Sequence, residues 1–188
     1  KVIIGFTDGI KTIQNTRLMS RIMRSAFDQN ALIMQHAEDF ELAENGTVND
    51  GIISTKLGLQ GITDLAEKII IERDLTLLED FNCRYHISQI SSSKSLSVID
   101  RKKDFVKFTT GVSINNLTLN ENDIGDFRTF LKLSPPLRTE EDRVELIKGI
   151  NKNLIDVIVS DHKPEDEESK RLTFSQAATG ASGIETLL

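Results

Sequence analysis

The stretch Leu154-Ile-Asp-Val-Ile-Val-Ser-Asp-His-Lys-Pro164 is an apolar run that ends in an acid and an imidazole shortly before a proline. Its centre, Ile155–Val159, is rich in β-branched residues and bounded by polar ones, which is typical of an interior parallel strand. In α/β barrels, ligands and catalytic groups gather at the carboxyl ends of the strands. Asp161 therefore lies where a metal ligand or general base is expected, and capping of the next turn is the alternative interpretation.

Outward from this stretch, strand-like segments alternate with helix-like ones along the chain. The predicted strands are Val2–Phe6, Ala31–His36, Arg84–Ile90, Phe105–Thr110, Thr129–Leu133 and Ile155–Ser160. The predicted helices are Asn15–Gln29, Ile62–Phe81, Lys94–Lys103 and Glu140–Asn151. Such alternation implies a parallel sheet whose strands are joined by crossover helices.

The number of strands bounds the architecture. Six strands in 188 residues fall short of a closed (β/α)8 barrel of ~250 residues. We therefore predict an α/β fold in which residues 1–188 form one partial TIM-type barrel domain. Two further strands are expected upstream of Lys1, because both ends of the chain look cut. A doubly wound sheet is the alternative, although no GxGxxG or GxxxxGK[ST] motif follows any strand.

The composition excludes several classes of function. A formal net charge of −6, without Lys/Arg clusters interleaved with aromatic residues, argues against nucleic-acid binding. The apolar runs are far shorter than the ~18 residues of a membrane span, and no signal peptide is visible. The single cysteine, Cys83, excludes an internal disulfide and favours a reducing, cytoplasmic location. We interpret Cys83 as a buried apolar residue.

If these strands line a barrel, the residues at their carboxyl ends share one mouth. Those residues are polar: Asp8, His36, Gln89, Asn115, Asn116, Ser134 and Asp161. His36 and Asp161 could supply two ligands of the types that zinc prefers, while a hydrogen-bonded structural role is the alternative for His36. Glu38 adds an acid close to His36. His86 lies three residues before Gln89, so the two side chains are expected on opposite faces of the strand.

Several short motifs follow one another over nearly the whole chain. They are Phe6-Thr-Asp-Gly9, Gln35-His-Ala-Glu-Asp39, Asn49-Asp-Gly51, Leu57-Gly-Leu-Gln-Gly61, Tyr85-His-Ile-Ser-Gln-Ile-Ser91, Ser134-Pro-Pro-Leu-Arg138, Glu140-Glu-Asp-Arg143, Ser160-Asp-His-Lys-Pro164 and Gly180-Ala-Ser-Gly-Ile-Glu-Thr186. In this order and spacing, the chain resembles the dihydroorotases, a branch of the amidohydrolase superfamily of metal-dependent barrel hydrolases. The resemblance is specific because it rests on the ordered set and not on any single motif.

The resemblance implies an activity and a cofactor. Members of this family close carbamoyl aspartate to dihydroorotate and reopen it in pyrimidine biosynthesis, and one or two zinc ions activate water and polarise the amide carbonyl. By resemblance, Asp161 matches the aspartate that is both metal ligand and proton shuttle, and His36 matches a ligand histidine. The same resemblance implies a cytoplasmic homo-oligomer that acts on a small-molecule substrate.

The chain departs from the family pattern at four positions of the site. Gln89 stands where the family has its next ligand histidine, and a neutral amide is a poor zinc ligand. Gly9 occupies the position of the bridging carboxylate, which Asp8 could replace only if the loop slips by one residue. At substrate-binding positions, Ser134 replaces an asparagine and Glu165 replaces a histidine that helps to hold the substrate carboxylate. These departures predict an impaired binuclear centre, because losing one ligand or its support strongly lowers metal affinity or rate.

Three functions remain open on these matches and departures. The first is a dihydroorotase-like hydrolase of impaired activity, in which Asp161 shuttles protons and His36 binds metal. A mononuclear site that adds an upstream His-x-His pair to these two residues is a variant of it. The second is a non-catalytic dihydroorotase-like scaffold that partners aspartate transcarbamoylase. The third is an amidohydrolase acting on another cyclic amide, since Glu165 suits a less acidic substrate.

Overall fold

The computed structural model describes residues 3–183. Within this range the helices are α1 (Thr16–Asp28), α2 (Ile52–Leu57), α3 (Asp64–Phe81), α4 (Ser93–Lys102), α5 (Ile114–Thr118), α6 (Glu140–Asn151) and α7 (Glu167–Lys170). The strands are β1 (Leu32–Gln35), β2 (Val48–Asn49), β3 (Gly61–Ile62), β4 (Arg84–Ile90), β5 (Thr109–Ser113) and β6 (Val157–Val159). Two short 3-10 turns, Glu121–Ile124 and Thr129–Leu131, lie between α5 and α6.

One parallel sheet carries the fold, with strand order β1-β4-β5-β6. Phe6 continues the sheet beyond β1 through a parallel bridge to Ile33, and its backbone N–H donates to the carbonyl of Leu32 at 2.8 Å. The strands therefore lie side by side in chain order, as in the wall of a barrel. The predicted strand Val2–Phe6 is reduced to this bridge in the described residues, and Val2 lies outside them. The short strands β2 and β3 form a separate parallel pair.

Four helices cover the outer face of this sheet. α1, α3, α4 and α6 pack in that order, each against the next. Each begins at a side-chain cap whose oxygen accepts a backbone N–H of the first turn, the caps being Asn15, Thr63, Ser92 and Thr139. The fully buried Leu75 and Leu78 of α3 pack with Ile87 and Ile90 of β4 in the core between the two layers. Burial of each such side chain contributes about 1.5–3 kcal/mol.

Two further predicted strands differ from the structure. The segment predicted as a strand at Thr129–Leu133 forms a 3-10 turn, and Leu133 packs into a second apolar cluster with Val48 and Phe174. The strand predicted at Phe105–Thr110 is displaced to β5, because the N–H groups of Phe105 and Val106 bond to the carbonyl of Lys102 and prolong the end of α4. Short apolar runs do not distinguish a strand from a packed turn.

Helix α3 buries two acids on the face that contacts the sheet. Glu67 is 2% exposed and Asp74 is 0% exposed, while Leu65 and Ile69 of the same helix are 40% and 45% exposed. Leu65 and Ile69 recur at helical spacing with the buried apolar residues of α3, but the structure leaves both exposed. Each buried acid accepts several hydrogen bonds, which offsets the cost of removing a carboxylate from water.

Glu67 begins a buried network at the carboxyl end of β4. Its carboxylate accepts the backbone N–H of Ser91 at 2.9 and 3.0 Å, and the hydroxyl of Ser91 in turn accepts a bond from Arg138 Nε at 3.1 Å. Arg138 also donates to Asn49 Oδ1 at 2.8 Å and to the carbonyl of Ile62 at 2.6 Å. Arg138 is 3% exposed. The arginine of the Ser-Pro-Pro-Leu-Arg motif thus joins β4 to the β2–β3 pair.

Asp74 forms the second buried network. Its Oδ2 accepts bonds from Gln35 Nε2 and from the Tyr85 hydroxyl, both at 2.6 Å, and its Oδ1 accepts from Arg73 Nε at 2.8 Å. Burial raises the pKa of Asp74, and the charge of Arg73 together with these hydrogen bonds lowers it in part. Arg73 also donates to the carbonyl of Ile13 at 2.8 Å. The network therefore ties the segment before α1 to β1, α3 and β4.

Among the described residues, no helix combines the length and apolarity that crossing a membrane requires.

Candidate active site

The polar strand-end residues meet at the carboxyl edge of the sheet. Asp161 follows β6, is partly buried and has a φ of 47°, in the left-handed region that few residues other than glycine adopt. Gln89, near the end of β4, donates from Nε2 to Asp161 Oδ1 at 3.1 Å. His86 instead contacts Thr109 Oγ1 at the start of β5, at 2.7 Å. Gln89 therefore reaches the site and His86 lies nearer the opposite end of the strands.

The environment of Asp161 changes its acidity in two opposing ways. Burial raises the pKa of Asp161. Hydrogen bonds from Gln89 and Ser113, together with the charge of Lys163, lower this pKa in part because they stabilise the carboxylate. Asp161 is therefore a partly buried carboxyl group with a side-chain donor on one oxygen, which is chemically able to accept and release a proton.

His36 is held directly after β1. The side chain is 5% exposed, and its Nε2 lies 3.3 Å from Ser134 Oγ. Burial lowers the pKa of His36, which favours the neutral imidazole that can bind a metal or accept a hydrogen bond. The backbone carbonyl of His36 accepts a bond from the Thr12 hydroxyl at 2.7 Å. The structure therefore brings together His36 and Ser134, two residues predicted to belong to the site.

A cavity of about 540 Å³ opens beside these residues. Its lining includes Asp161 and Ser134 together with side chains that bear charge, namely Lys11, Glu38, Lys132 and Lys163. Apolar contacts come from Ile10, Phe40, Ile62 and Leu133. Burial raises the pKa of Glu38, an effect that Arg138 opposes and Glu67 reinforces. The cavity has the size and the mixed lining of a site for a small polar molecule.

Two other predicted residues lie less centrally. Glu165 pairs with Lys163, whose Nζ lies 3.2 Å from Glu165 Oε1, and it is Lys163 that lines the cavity. Asp8 is exposed in a turn in which its carbonyl accepts the N–H of Lys11. Gly9 of the same turn has a φ of 69°. The roles predicted for Asp8 in metal binding and for Glu165 in substrate binding stay predictions.

The described residues by themselves do not form a zinc centre. Within residues 3–183, no three side chains of His, Cys, Asp or Glu lie close enough together to hold a metal ion. The position between β4 and β6 is occupied by the Gln89 amide, whose N–H group is a donor and not a metal ligand. In the part of the chain that the structure describes, His36 and Asp161 are of types that could contribute to such a centre.

Sequence reasoning did not identify several residues of the site. Ser113 bonds to Asp161 from the end of β5, and Lys132 and Lys163 line the cavity. Lys163 is adjacent to Asp161 and His162 in the sequence, so its position next to a strand end could have indicated it. Lys132 belongs to the segment mistaken for a strand. Arg138 is the last residue of the Ser-Pro-Pro-Leu-Arg motif, and in the structure it joins the buried network between β4 and the β2–β3 pair.

Comparison with known proteins shows strong sequence similarity to one group. The chain is 41% identical to a dihydroorotase of Ehrlichia chaffeensis over 187 residues, which are 98% of this chain and 42% of that protein. It is 39% identical to a dihydroorotase of Wolbachia sp. subsp. Brugia malayi over the same shares. It is 38% identical to that of Bacillus licheniformis over 97% of this chain and 43% of the relative. The chain therefore spans less than half the length of these curated relatives.

Solved structures show the same fold at lower sequence identity. A D-hydantoinase (dihydropyrimidinase) from Thermus sp. superposes with a TM-score of 0.79 at 20% identity, covering 97% of this chain and 43% of that one. A dihydroorotase from Saccharomyces cerevisiae, in complex with 5-fluoroorotic acid, gives 0.71 at 18% identity over 96% of this chain and 51% of that one. The predicted fold class is confirmed, because these are amidohydrolase TIM barrels and the chain forms only part of such a barrel.

The family model agrees with these similarities. Residues 3–95, which include β1, α3 and β4, match a family described as dihydro-orotase-like. The curated relatives extend the match over nearly the whole chain. By sequence, residues 3–95 match the dihydro-orotase-like family and nearly the whole chain is similar to curated dihydroorotases, and by fold the chain resembles part of a hydantoinase or dihydroorotase barrel.

Proposed function

We propose that this chain is part of a dihydroorotase-like enzyme of pyrimidine biosynthesis and supplies the residue that transfers protons in the active site. We further propose that the activity of this enzyme is impaired. The reaction is the reversible closure of carbamoyl aspartate to dihydroorotate. The hydrogen bond from Gln89 Nε2 to Asp161 Oδ1, at 3.1 Å, is the observation that carries this proposal. A donor occupies the place where the family resemblance expects a metal-binding imidazole.

The residues of this chain have distinct roles in the proposal. Asp161 moves the proton to and from the substrate nitrogen, for which its raised pKa suits it. Gln89 and Ser113 orient the Asp161 carboxylate and stabilise its charge, so they make it a weaker base. Ser134 lines the cavity and orients the His36 imidazole. When bound, zinc would polarise the amide carbonyl and activate water.

A non-catalytic scaffold that partners aspartate transcarbamoylase is the second candidate function. It is favoured by pairs of polar groups at the cavity that satisfy one another, namely Gln89 with Asp161 and Lys163 with Glu165. Groups that bond to each other are less available to a substrate or a metal ion. The apolar core and its buried anchors would serve assembly equally well without catalysis.

The test is carbamoyl aspartate cyclisation by the purified full-length protein, with and without added aspartate transcarbamoylase. We expect slow turnover, with a rate about tenfold to a hundredfold below that of the Bacillus licheniformis dihydroorotase assayed in parallel. Asp161→Asn should abolish it, and Asp104→Asn, a change at an exposed acid outside the cavity lining, should leave it unchanged. Turnover equal to that of the relative would contradict impairment. Absence of turnover under both conditions would support the scaffold.

A further inference from the structure

Three lysine side chains converge on one backbone segment at the cavity, residues 175–180. Lys132 Nζ donates to the carbonyls of Ser175 at 2.8 Å and Ala177 at 2.9 Å. Lys163 Nζ donates to the carbonyl of Thr179 at 2.8 Å. Lys170 Nζ donates to the carbonyls of Thr129, Ala178 and Gly180. Five backbone carbonyls of this segment therefore accept hydrogen bonds from ammonium groups, while several of its N–H groups bond to other backbone carbonyls.

The number of hydrogen bonds separates these lysines into two kinds. An ammonium group has three N–H donors. Lys170 uses three carbonyl acceptors, is 2% exposed and is not part of the cavity lining. In the described part of the chain, Lys132 has two acceptors, and Lys163 has two, Thr179 O and Glu165 Oε1. Lys132 and Lys163 both line the cavity, and each retains one N–H for a ligand.

The charge at the cavity is opposite in sign to that of the whole chain. The chain has a formal net charge of −6, yet the cavity lining contains Lys11, Lys132 and Lys163 against the acids Glu38 and Asp161. A concave site with an excess of cations attracts anions and orients them.

We propose that Lys132 and Lys163 form a subsite that recognises the carboxylate of a ligand, and that Lys163 makes the cavity selective for acidic over uncharged cyclic amides. This inference rests on the proposed function, since it assumes that the cavity holds the cyclic amide. Each ammonium group donates its unused N–H to a carboxylate oxygen. Lys163, whose side chain is 47% exposed, is the more accessible of the two.

The pair formed by Lys163 and Glu165 gives Glu165 a role in this subsite. On the sequence alone, an acid at position 165 repels an anionic substrate and suits a less acidic one. In the structure, Glu165 Oε1 lies 3.2 Å from Lys163 Nζ, so its charge is paired and it holds the ammonium group beside the cavity. Glu165 is therefore a positioning residue, and it does not exclude an acidic ligand.

Two rings that differ in one group test the proposal. Dihydroorotate and dihydrouracil share the same cyclic ureide, but only dihydroorotate bears a carboxylate. Calorimetric titration of the full-length protein should show dihydroorotate binding at least about tenfold more tightly, the effect of one charge-assisted hydrogen bond. Lys163→Met should remove this preference and leave dihydrouracil binding unchanged, whereas Lys163→Arg should retain part of it. Lys107→Met, at an exposed lysine outside the cavity lining, should retain all of it.

Several results would overturn the subsite. They are equal binding of the two rings by the wild-type protein, a preference that survives Lys163→Met, and an equal loss for both rings in that variant. If neither ring binds, the proposed function fails, and succinate becomes the probe. Succinate binding that Lys163→Met abolishes would still support the lysine subsite. Succinate that does not bind the wild-type protein, or that binds both proteins equally, would overturn it.

Discussion

The amide nitrogen of Gln89 lies 3.1 Å from the carboxylate oxygen Oδ1 of Asp161, across the ends of β4 and β6. This bond joins the contributions of β4 and β6 to the site through a neutral donor. A histidine at the same position could bind a metal ion, whereas the amide N–H can only donate. The presence of glutamine instead of histidine at position 89 therefore determines whether this position can bind a metal ion.

Arg138 is predicted to be a stability anchor of the fold. Arg138→Met should lower the free energy of unfolding by about 3 kcal/mol or more, because buried acceptors on Ser91, Asn49 and Ile62 lose their donor. Urea denaturation followed by circular dichroism measures this loss. Arg101→Met is the matched control, since Arg101 pairs with Glu72 at the surface and should contribute less than about 1 kcal/mol. Equal losses in the two variants would show that the buried network does not act as an anchor.

Asp74 gives the stability a predictable dependence on pH. Because burial raises the pKa of Asp74 above its usual 3.8, the folded state binds this proton more tightly than the unfolded state does. The contribution is therefore fully present below the unfolded pKa and is lost as pH rises through the raised folded pKa.

The variant Asp74→Asn isolates this effect, because it keeps the shape and removes the titration. The free energy of unfolding of the wild type minus that of Asp74→Asn should fall as pH rises past the usual pKa of 3.8 and level off once the pH exceeds the raised pKa of the folded state. Asp104→Asn, at an exposed acid, should follow the wild-type curve in parallel. A difference between wild type and Asp74→Asn that increases with pH would mean that the folded pKa is lowered instead.

Gly183 is predicted to be required where the chain approaches β6. A Cβ atom at Gly183 would lie 1.8 Å from the carbonyl oxygen of Ser160, the residue before Asp161. Gly183→Ala should therefore displace the segment and lower stability by about 1–3 kcal/mol, the usual cost of overpacking. At Gly51, the N-cap of α2, a Cβ atom would have 3.6 Å to its nearest neighbour, so Gly51→Ala should cost less than Gly183→Ala, at most about 1 kcal/mol from the weaker cap. Thermal denaturation of both variants decides whether the close approach matters.

The sequence was a good guide to elements that have a strong repeating pattern. The helix predicted at Glu140–Asn151 agrees with α6, and the strand predicted at Arg84–Ile90 agrees with β4. Both are long enough for periodicity and flanking polar residues to define them. The alternation of apolar residues at Thr129–Leu133 indicates a strand, but Leu131 and Leu133 are apolar because they pack outside the sheet. They pack at or against the cluster around Phe174, away from the sheet.

The candidate site could be predicted only in part. The position of Asp161 at the end of an apolar strand indicates that it belongs to the site, and the family resemblance indicates Gln89 and His36. The contacts between these groups depend on the packing of distant segments. Gln89 and Asp161 are separated by 72 positions, and His36 and Ser134 by 98. The lysines around residues 175–180 bond to backbone carbonyls, which leave no signal in a sequence.

Zinc binding by the full-length protein and its Gln89→His variant tests the impaired centre most directly. The measurement is zinc content and affinity under replete conditions, with Gln60→His as a control for an added surface imidazole. We predict less than one tightly bound zinc ion per wild-type chain, and an affinity that rises about tenfold to a hundredfold in Gln89→His but not in Gln60→His. Two zinc ions bound tightly by the wild-type chain, with no gain in Gln89→His, would contradict this prediction.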